Sequence, residues 1–322
     1  MKTHWLLTTL LLFSTLYGFT QTSTQNSYKR AFFITTDNDS YLLRGDDGYY
    51  TNGLFLDYSW AGKRNAKGKK IHNIEVGQLM YNAQNGDYTK LSRVDRPITA
   101  LLYAEYKQSF FNNNESVLQW SATGGVMGPP AFGRQTQEFI HKLINAYTPT
   151  EWPFQLHTSV GANAGVVWAP NLFHNTWGGH FAITPLANAN AGSFFTDAST
   201  GFILQLGTFE KNSQSAMWNA HISQGDEKFL HKKELFFYFS PSVGYRVYNA
   251  TVQGGLFSRH EDDAEGLSRT LVPFFYRQKV GLLYARNRMD LGFSVVFDTR
   301  EAQEQRTCHW YGSIKLGYLF GK

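Results

Sequence analysis

The chain has 322 residues, a formal net charge of +5, 16% aromatic residues and only 17% charged residues. So few charges are unusual in a soluble globular protein, where about 25% is typical, and the single Cys308 excludes an intramolecular disulfide framework. A mean hydropathy of −0.36 argues against a bundle of membrane-spanning helices, and the sequence contains no nucleic-acid or phosphate-loop motif.

The first twenty residues have the pattern of a targeting segment. A basic start at Lys2 precedes an apolar run from Trp5 to Phe19, and polar residues follow. This pattern predicts a secretory signal peptide over residues 1–20. A transmembrane anchor is the alternative, but the run is shorter than the ~20 apolar residues that a spanning helix needs. Residues 21–322 are predicted to form one exported domain.

The segment 51–61 shows a period of two most clearly. One side carries large apolar residues, namely Leu54, Leu56, Tyr58 and Trp60. The other side carries mostly small or polar residues, namely Thr51, Gly53, Phe55, Asp57 and Ser59. This alternation predicts a strand of a transmembrane β-barrel, with lipid outside and a polar lumen inside. On this interpretation Thr51 lies on the lumen side and Trp60 lies in an interfacial aromatic girdle.

The same pattern recurs along the chain and predicts an all-β fold, a transmembrane antiparallel barrel of about twelve strands. The strands are expected at 30–38, 51–61, 71–81, 98–110, 116–127, 153–168, 181–194, 200–209, 234–249, 272–286, 290–299 and 308–320. The segment 250–258 is interpreted as the rim of the preceding strand, because single-chain bacterial barrels have even strand numbers. The aromatic-rich last strand is the kind of segment that outer-membrane barrels offer to their assembly machinery.

Residues 131–152 break the alternation. The apolar residues Phe139, Ile140, Leu143 and Ile144 have helical spacing, which predicts a short helix in an extracellular loop. Gln137 and His141 are four residues apart and share one face of this helix.

Strand parity brings three polar segments together. If the N-terminus is periplasmic, loops after odd-numbered strands face the cell exterior. Asn38-Asp39 follows the first strand, Asp95-Arg96-Pro97 follows the third, and His141 follows the fifth. All three are therefore predicted on one rim, whereas the long polar connection 210–233 is predicted on the periplasmic side. The segments 37–40 and 46–53 also bring carboxylates, amides and hydroxyls to one strand end, which suits a hard cation.

These residues resemble a known family. Asn38-Asp39-Ser40, Asp47 with Tyr49-Tyr50-Thr51-Asn52-Gly53, Asp95-Arg96-Pro97, and Gly128-Pro129 with Gln137, His141, Trp152 and Gln155 are similar, in this order, to the LpxR-type lipid A deacylases. The resemblance implies a calcium-dependent outer-membrane enzyme that removes the 3′-linked acyloxyacyl chain of lipid A. This chain departs from the family at Ser40, where a second acidic residue is usual, and at Asn145-Ala146-Tyr147, where a Glu follows the catalytic His.

The resemblance also implies roles for individual residues. His141 is expected to be the general base, with Asn38 and Thr51 lining the catalytic site. Asp39 and Asp47 are expected to bind Ca²⁺, and Asp46 or Glu138 are further carboxylates that would compensate for the departures. Arg96, Gln137 and Ser40 are expected to contact substrate. The partners expected are lipopolysaccharide and outer-membrane lipids, the protein is expected to be a monomer, and its site is expected to face the outer leaflet.

Chemistry gives reasons for these roles and for their alternatives. A His with a near-neutral pKa accepts a proton from water, calcium polarises a carbonyl, and an amide such as that of Asn38 donates to the oxyanion. Ser40 acting as a nucleophile with a His is a rival mechanism. Each of these residues also has a purely structural interpretation. His141 would lie in a surface loop without a role, and Asp39 would stabilise a turn. Thr51 would favour the strand, and Arg96 would form a salt bridge at the rim. The alternative function is a non-catalytic barrel, either a pore or a surface-binding protein.

Overall fold

A computed structural model describes residues 23–24, 28–43, 48–63, 65–84, 90–145, 148–172 and 179–321. The predicted signal peptide at 1–20 and the predicted metal ligand Asp47 lie outside the described residues. The fold is a closed barrel of twelve antiparallel strands, each paired with its neighbours in sequence, and the last strand pairs with the first. The strands are β1 Arg30–Asn38, β2 Tyr49–Ala61, β3 Gly68–Asn82, β4 Thr99–Asn112, β5 Val117–Met127, β6 Ser159–Ala169, β7 Phe181–Gly192, β8 Phe195–Thr208, β9 Glu234–Asn249, β10 Phe274–Arg286, β11 Met289–Asp298 and β12 His309–Phe320.

The predicted strands agree with the observed ones to within a few residues, with two instructive exceptions. β6 begins at Ser159 and not at 153, because Trp152–Phe154 forms a 3-10 turn with Pro153 in its first turn. The segment 250–258 is not a strand rim, since the side chain of Asn249 accepts a hydrogen bond from Thr251 N at 3.0 Å and starts a short helix. The helices are α1 Gly133–Ile144, α2 Ala250–Gln253 and α3 Arg259–Ala264.

The two ends of the barrel differ. We call the end that carries the loops after odd-numbered strands the upper rim, and the opposite end the lower end. The loop after β1, the loop after β3 and the loop with α1 after β5 all lie on the upper rim, as the parity argument predicted. Residues 209–233 connect β8 to β9 at the lower end, where Lys228–Phe229 pairs with Ser23–Thr24.

The wall keeps the predicted alternation through the middle of the barrel. On β2, Leu54, Leu56 and Tyr58 are exposed on the outside, whereas Asp57 and Ser59 are buried inside. This arrangement is the one expected of strands with lipid on one face and a polar interior on the other. No helix within the described ranges is long and apolar enough to span a membrane.

The connection 209–233 plugs the lower end. Ala220 and Ile222 pack in a buried cluster with wall residues such as Phe33 and Phe111. The ammonium group of Lys69 on β3 donates to the backbone oxygens of Ser213 at 2.7 Å and Ala220 at 2.8 Å, and to Glu227 at 2.9 Å. His221 of the plug contacts Glu234 at 2.6 Å and Asp290 at 3.1 Å. Apolar packing and buried charge pairs therefore both hold the plug in the barrel.

Candidate functional site on the outer wall

Helix α1 packs on the outer face of the barrel wall. Met80 on β3 and Ala100 on β4 form a buried cluster with Trp152, and Ile140 of α1 packs against this cluster. The contact is close because Gly133 has no side chain: a Cβ there would lie 2.4 Å from the Trp152 ring and 2.5 Å from the Ala100 Cβ. The loop that contains α1, residues 128–158, therefore covers outward-facing positions near the upper ends of β3 and β4. We call this loop the α1 segment, or the cover. Lower on the same strands, the outward-facing positions are exposed apolar residues.

Strand register places the predicted site residues beside this cover. Asn38 pairs with Asn52, Asn52 with Met80, and Met80 with Ala100. Neighbouring strands lie about 4.8 Å apart, so Asn38 on β1 is about two strand spacings from Met80. The Asn38 segment, the Thr51 segment and the buried face of α1 thus form one patch at the outer side of the upper rim.

Asn38 is fixed at both ends of its amide. Its nitrogen donates to the side-chain oxygen of Asn52, and its own Oδ1 accepts from Ser40 N at 2.7 Å. The second bond caps the 3-10 turn Asp39–Leu42, in the manner of Asn at a helix N-cap. Asp39 is buried in this turn, and its Oδ2 accepts from Gly48 N at 3.1 Å. The turn is therefore joined to the start of β2.

Thr51 sits at an irregularity in β2. The pairing with β3 shifts between Tyr50 and Asn52, so Thr51 is an extra residue in the strand. The Tyr50 hydroxyl donates to Asp37 inside the barrel at 2.9 Å, whereas Asn52 meets Asn38 on the outside. Strict alternation therefore fails at this end of β2, between Tyr50 on the inside and Asn52 on the outside, and the lumen-side position of Thr51 stays a prediction. Thr51 is fully buried, and its hydroxyl has no hydrogen-bond partner among the described residues.

The predicted helix face is the one that meets the wall. Gln137 is fully buried and His141 is 7% exposed, whereas Arg134 and Lys142 on other faces are exposed. Gln137 Oε1 accepts a hydrogen bond from the Trp152 indole nitrogen at 2.7 Å. This bond fixes the helix against residues 151–154, and His141 lies one turn further along the same face.

Glu151 is a site residue that sequence reasoning missed. It is fully buried, and its Oε1 accepts from Asn82 Nδ2 at 3.0 Å. Glu151 directly precedes Trp152, whose indole binds Gln137 of α1, so this carboxylate joins the segment after α1 to β3. Nothing in the local sequence singles out Glu151, since its burial depends on α1 folding back over β3.

Arg96 has partners that argue for a structural role. It is fully buried, stacks over the Tyr81 ring at 3.9 Å, and donates to Glu301 at 2.6 Å and to the Thr251 hydroxyl at 2.9 Å. Burial alone would raise the pKa of Glu301, but the guanidinium groups of Arg96 and Arg246 lower it to about 2. The rim salt-bridge interpretation of Arg96 is therefore favoured over the prediction that it binds substrate.

The remaining candidates are less central. Ser40 is exposed, and within the described parts of the chain no hydrogen bond joins its hydroxyl to a histidine. Glu138 forms an exposed ion pair with Arg134 at 2.7 Å. No group of three or more His, Cys, Asp or Glu side chains with metal-binding geometry occurs among the described residues, which leave out 44–47.

A cavity of about 300 Å³ opens beside Asp39. It is lined on the other side by the start of β12 and the residues before it, including Cys308, His309 and Trp310. The site thus combines a buried carboxylate, an amide that caps a turn, a threonine hydroxyl without a partner among the described residues, and a histidine, all at the outer rim of a barrel. These features define an outer-membrane-type β-barrel with a polar site on its wall.

The sequence matches the family described as "Outer membrane protein LpxR" over residues 6–320. The chain belongs to this family of outer-membrane proteins, which confirms the resemblance. Its fold is similar to that of LpxR from Salmonella typhimurium, with a TM-score of 0.73 and 20% identity over 90% of this chain and 100% of that one.

Other outer-membrane barrels are more distant. The β domain of the Bordetella autotransporter BrkA has a TM-score of 0.46 and 8% identity over 92% of this chain and all of that one. A KdgM porin in complex with oligogalacturonate has a TM-score of 0.37 and 8% identity over 90% of this chain and 99% of that one. No curated protein matches the chain in sequence.

Proposed function

We propose that this protein is an ester hydrolase of the outer membrane that removes the 3′-linked acyloxyacyl chain from lipid A. The observation that carries the proposal is the position of the polar patch: it lies on the outer surface of the wall, beneath α1, and not in the lumen. Buried polar groups on a lipid-facing surface are costly unless protein covers them. A site placed there suits a substrate that arrives sideways from the membrane, and in this proposal the upper rim faces the outer leaflet.

His141 is the proposed general base. It lies on the buried face of α1, so water that reaches it is held between helix and wall. The Asn38 amide carries two N–H groups, of which one goes to Asn52, and the other is the proposed donor to the oxyanion. The Thr51 hydroxyl, which has no partner among the described residues, is proposed to hold the water or the substrate. Gln137 is proposed to keep α1 in place through Trp152.

Calcium is part of the proposal through its ligand chemistry. Asp39 would supply one carboxylate, and Asp46 and Asp47 in the adjoining segment 44–47 are the further oxygen ligands expected. A calcium ion bound there would polarise the ester carbonyl. Glu151 is a further buried carboxylate on the segment that follows α1, and it is proposed to orient His141.

The pore alternative receives no support from the lower end of the barrel. Residues 209–233 close this end with an apolar cluster and with the Lys69–Glu227 ion pair at 2.9 Å. A conducting barrel would have to expel this plug and leave buried charges without partners, which costs several kcal/mol. A steady conductance in planar bilayers, with lipid A unchanged, would favour the pore.

The proposal is tested by mass spectrometry of lipid A from outer membranes that carry the protein. We expect the wild type to remove one ester-linked acyloxyacyl group and His141→Ala to lose this activity by about 10²–10⁴-fold. The control is His260→Ala, which changes an exposed histidine of α3 on the same rim. Activity that survives a calcium chelator would remove the metal from the proposal. Full activity in a correctly folded His141→Ala barrel would refute the mechanism.

A further inference from the structure

The outward surface of α1 carries large apolar side chains. Phe132, just before the helix, is 55% exposed, Phe139 is 68% exposed and Leu143 is 75% exposed. They are among the more exposed large apolar side chains of the described chain, and they lie next to a site otherwise built from buried polar groups. Such a surface needs an apolar partner if it is to remain stable.

Helical geometry divides α1 into three faces. Successive residues turn by about 100° around an α-helix, so positions four apart lie nearly in line. The face against the barrel wall carries Gly133, Gln137 and His141. The apolar face carries Phe139 and Leu143, and the exposed Phe132 precedes the first turn. The polar face carries Arg134, Glu138 and Lys142. The three faces lie about a third of the circumference apart, which is typical of a helix held between a protein, a membrane and water.

Strand geometry gives the depth of α1. Residues on a tilted barrel strand climb about 2.6 Å each along the barrel axis, from a rise of ~3.4 Å and a tilt of ~40°. His72 marks the lower aromatic girdle, since its ring stacks on Trp60 at 5.3 Å. Met80, against which α1 packs, is therefore about 21 Å above that girdle, and Asn82 about 26 Å above it, whereas the apolar band of such barrels is about 25 Å tall.

The outward-facing aromatic residues of the opposite wall give the same height for the lipid-facing band. There Phe274 and Tyr284, both on the outward side of β10, mark the two aromatic edges of the lipid-facing band. They are as far apart in sequence as His72 and Asn82. On the wall that contains β10, lipid faces the strand over this whole height. The upper part of β3, which α1 covers, therefore lies within the height that lipid occupies there.

We propose that α1 is an interfacial helix whose Phe132, Phe139 and Leu143 face inserts among the acyl chains of the membrane leaflet at the upper rim. The band of exposed apolar residues on β3, including Ile74 and Val76, continues upward into this face. The polar face with its Arg134–Glu138 pair then lies toward water. Membrane lipid, together with the barrel wall, holds α1 over the site. This inference rests on the barrel and not on the proposed reaction.

The proposal is tested by spin-label accessibility in phosphatidylcholine–phosphatidylglycerol vesicles. Cys308, the single cysteine, is first replaced in a Cys308→Ser background. Labels are then placed by Phe139→Cys, Leu143→Cys and, as the water-facing control on the same helix, Lys142→Cys. Leu282→Cys on the opposite wall, where Leu282 is 50% exposed, provides the lipid-facing reference.

We expect collisions with oxygen, relative to a water-soluble nickel complex, to be severalfold higher at 139 and 143 than at 142, and close to the value at 282. Equal ratios at all three helix positions would overturn the proposal. Each labelled barrel is checked for native heat-modifiable mobility, and Phe132→Cys provides an independent position if one variant does not fold. Lipid A deacylation measured in the same samples keeps failure of this inference separate from failure of the proposed function.

Discussion

At the upper rim, two walls of the barrel present different surfaces on the outside. No segment within the described ranges covers the outside of the wall of β9–β12, which we call the bare wall. It ends in an aromatic girdle in which the Tyr245 ring lies 5.0 Å from the Phe274 ring, and the Phe297 ring 4.6 Å from the Trp310 ring. The wall of β2–β4 carries polar residues at this height, among them Asn52 and Asn82, and the α1 segment covers them. Cover by protein suits these polar groups, because hydrocarbon would offer them no hydrogen bonds.

The difference between the outer surfaces of the two walls indicates where the site lies, and no bound ligand is needed for this conclusion. A wall made only to contact lipid has no reason to carry Gln78, whose amide donates to Ala131 O at 2.6 Å, or the Asn82–Glu151 hydrogen bond. The interior of the barrel is also polar, with adjoining cavities of about 350 and 440 Å³. In the interior, however, charged residues pair with each other, as Arg277 does with Asp298 at 2.7 Å.

The largest effect is expected from removing the residue that joins the cover to the wall. Trp152→Ala empties a fully buried position and breaks the bond to Gln137, so the free energy of unfolding should fall by about 3–5 kcal/mol and deacylation should be lost. Phe274→Ala on the wall of β9–β12, at a residue 74% exposed, removes only a ring that pairs with Tyr245, so it should cost about 0.5–1.5 kcal/mol. Denaturant unfolding in micelles measures both, and equal losses would refute the contrast between the walls.

The next effect concerns the ion pair that joins the two walls across the rim. Arg96→Met leaves Glu301, whose side chain is 17% exposed, without its closest partner, which should cost about 3 kcal/mol, the low end of the range for a broken buried pair. Because the folded pKa of Glu301 is lowered to about 2, the pair stabilises the wild type above pH ~4.5 and this stabilisation is lost as pH falls toward 2. The variant should lose less stability over this range.

The control for Arg96 is Arg134→Met, which breaks the exposed pair with Glu138 and should cost about 0–1 kcal/mol. Unfolding curves between pH 3 and pH 7 measure both variants. If Arg96→Met left stability unchanged but weakened binding of lipid A, the substrate-binding prediction for Arg96 would be restored.

A functional effect with little effect on stability is expected at Thr51. Thr51→Val keeps the shape and removes a buried hydroxyl that has no partner among the described residues, so stability should stay level or rise by up to about 1 kcal/mol. If this hydroxyl holds water or substrate, deacylation should fall about 10-fold or more, and Thr51→Ser should retain most of it. A valine variant with unchanged activity would leave Thr51 as a strand former only.

The smallest effect is a pH dependence at the edge of the cover. His157 Nδ1 lies 2.8 Å from Asp262, and this hydrogen bond raises the pKa of His157. The contribution to stability is therefore fully present below pH ~6.5 and is lost as pH rises through the folded pKa of His157. It should be small because a third of the imidazole is exposed. His157→Gln should flatten the stability profile between pH 5 and 9, and an unchanged profile would contradict this.

The comparison between the walls also shows how far sequence reasoning extends. The alternation of residues such as Leu54 and Asp57 is local, so the strands and the shared rim of Asn38, Asp95 and His141 followed from the sequence. The shared face of Gln137 and His141 also followed, because helical spacing is local. The side of the barrel on which α1 lies could not be predicted in this way.

Non-local features account for the differences. Thr51 leaves the alternation because of a register shift against β3, and Arg96 is buried because Glu301 reaches it from a loop more than two hundred residues later. Glu151 becomes a site residue only when α1 folds back onto Met80 and Ala100.

The sequence by itself thus determined a twelve-stranded barrel of the LpxR family and the rim on which its polar residues gather, because periodicity and strand parity need only neighbours along the chain. The tertiary structure alone decided which of these residues are buried against one another. It also decided that the guanidinium of Arg96 pairs with Glu301, and which apolar face of α1 remains exposed. Those outcomes depend on contacts between segments that are distant in sequence, and no local pattern records them.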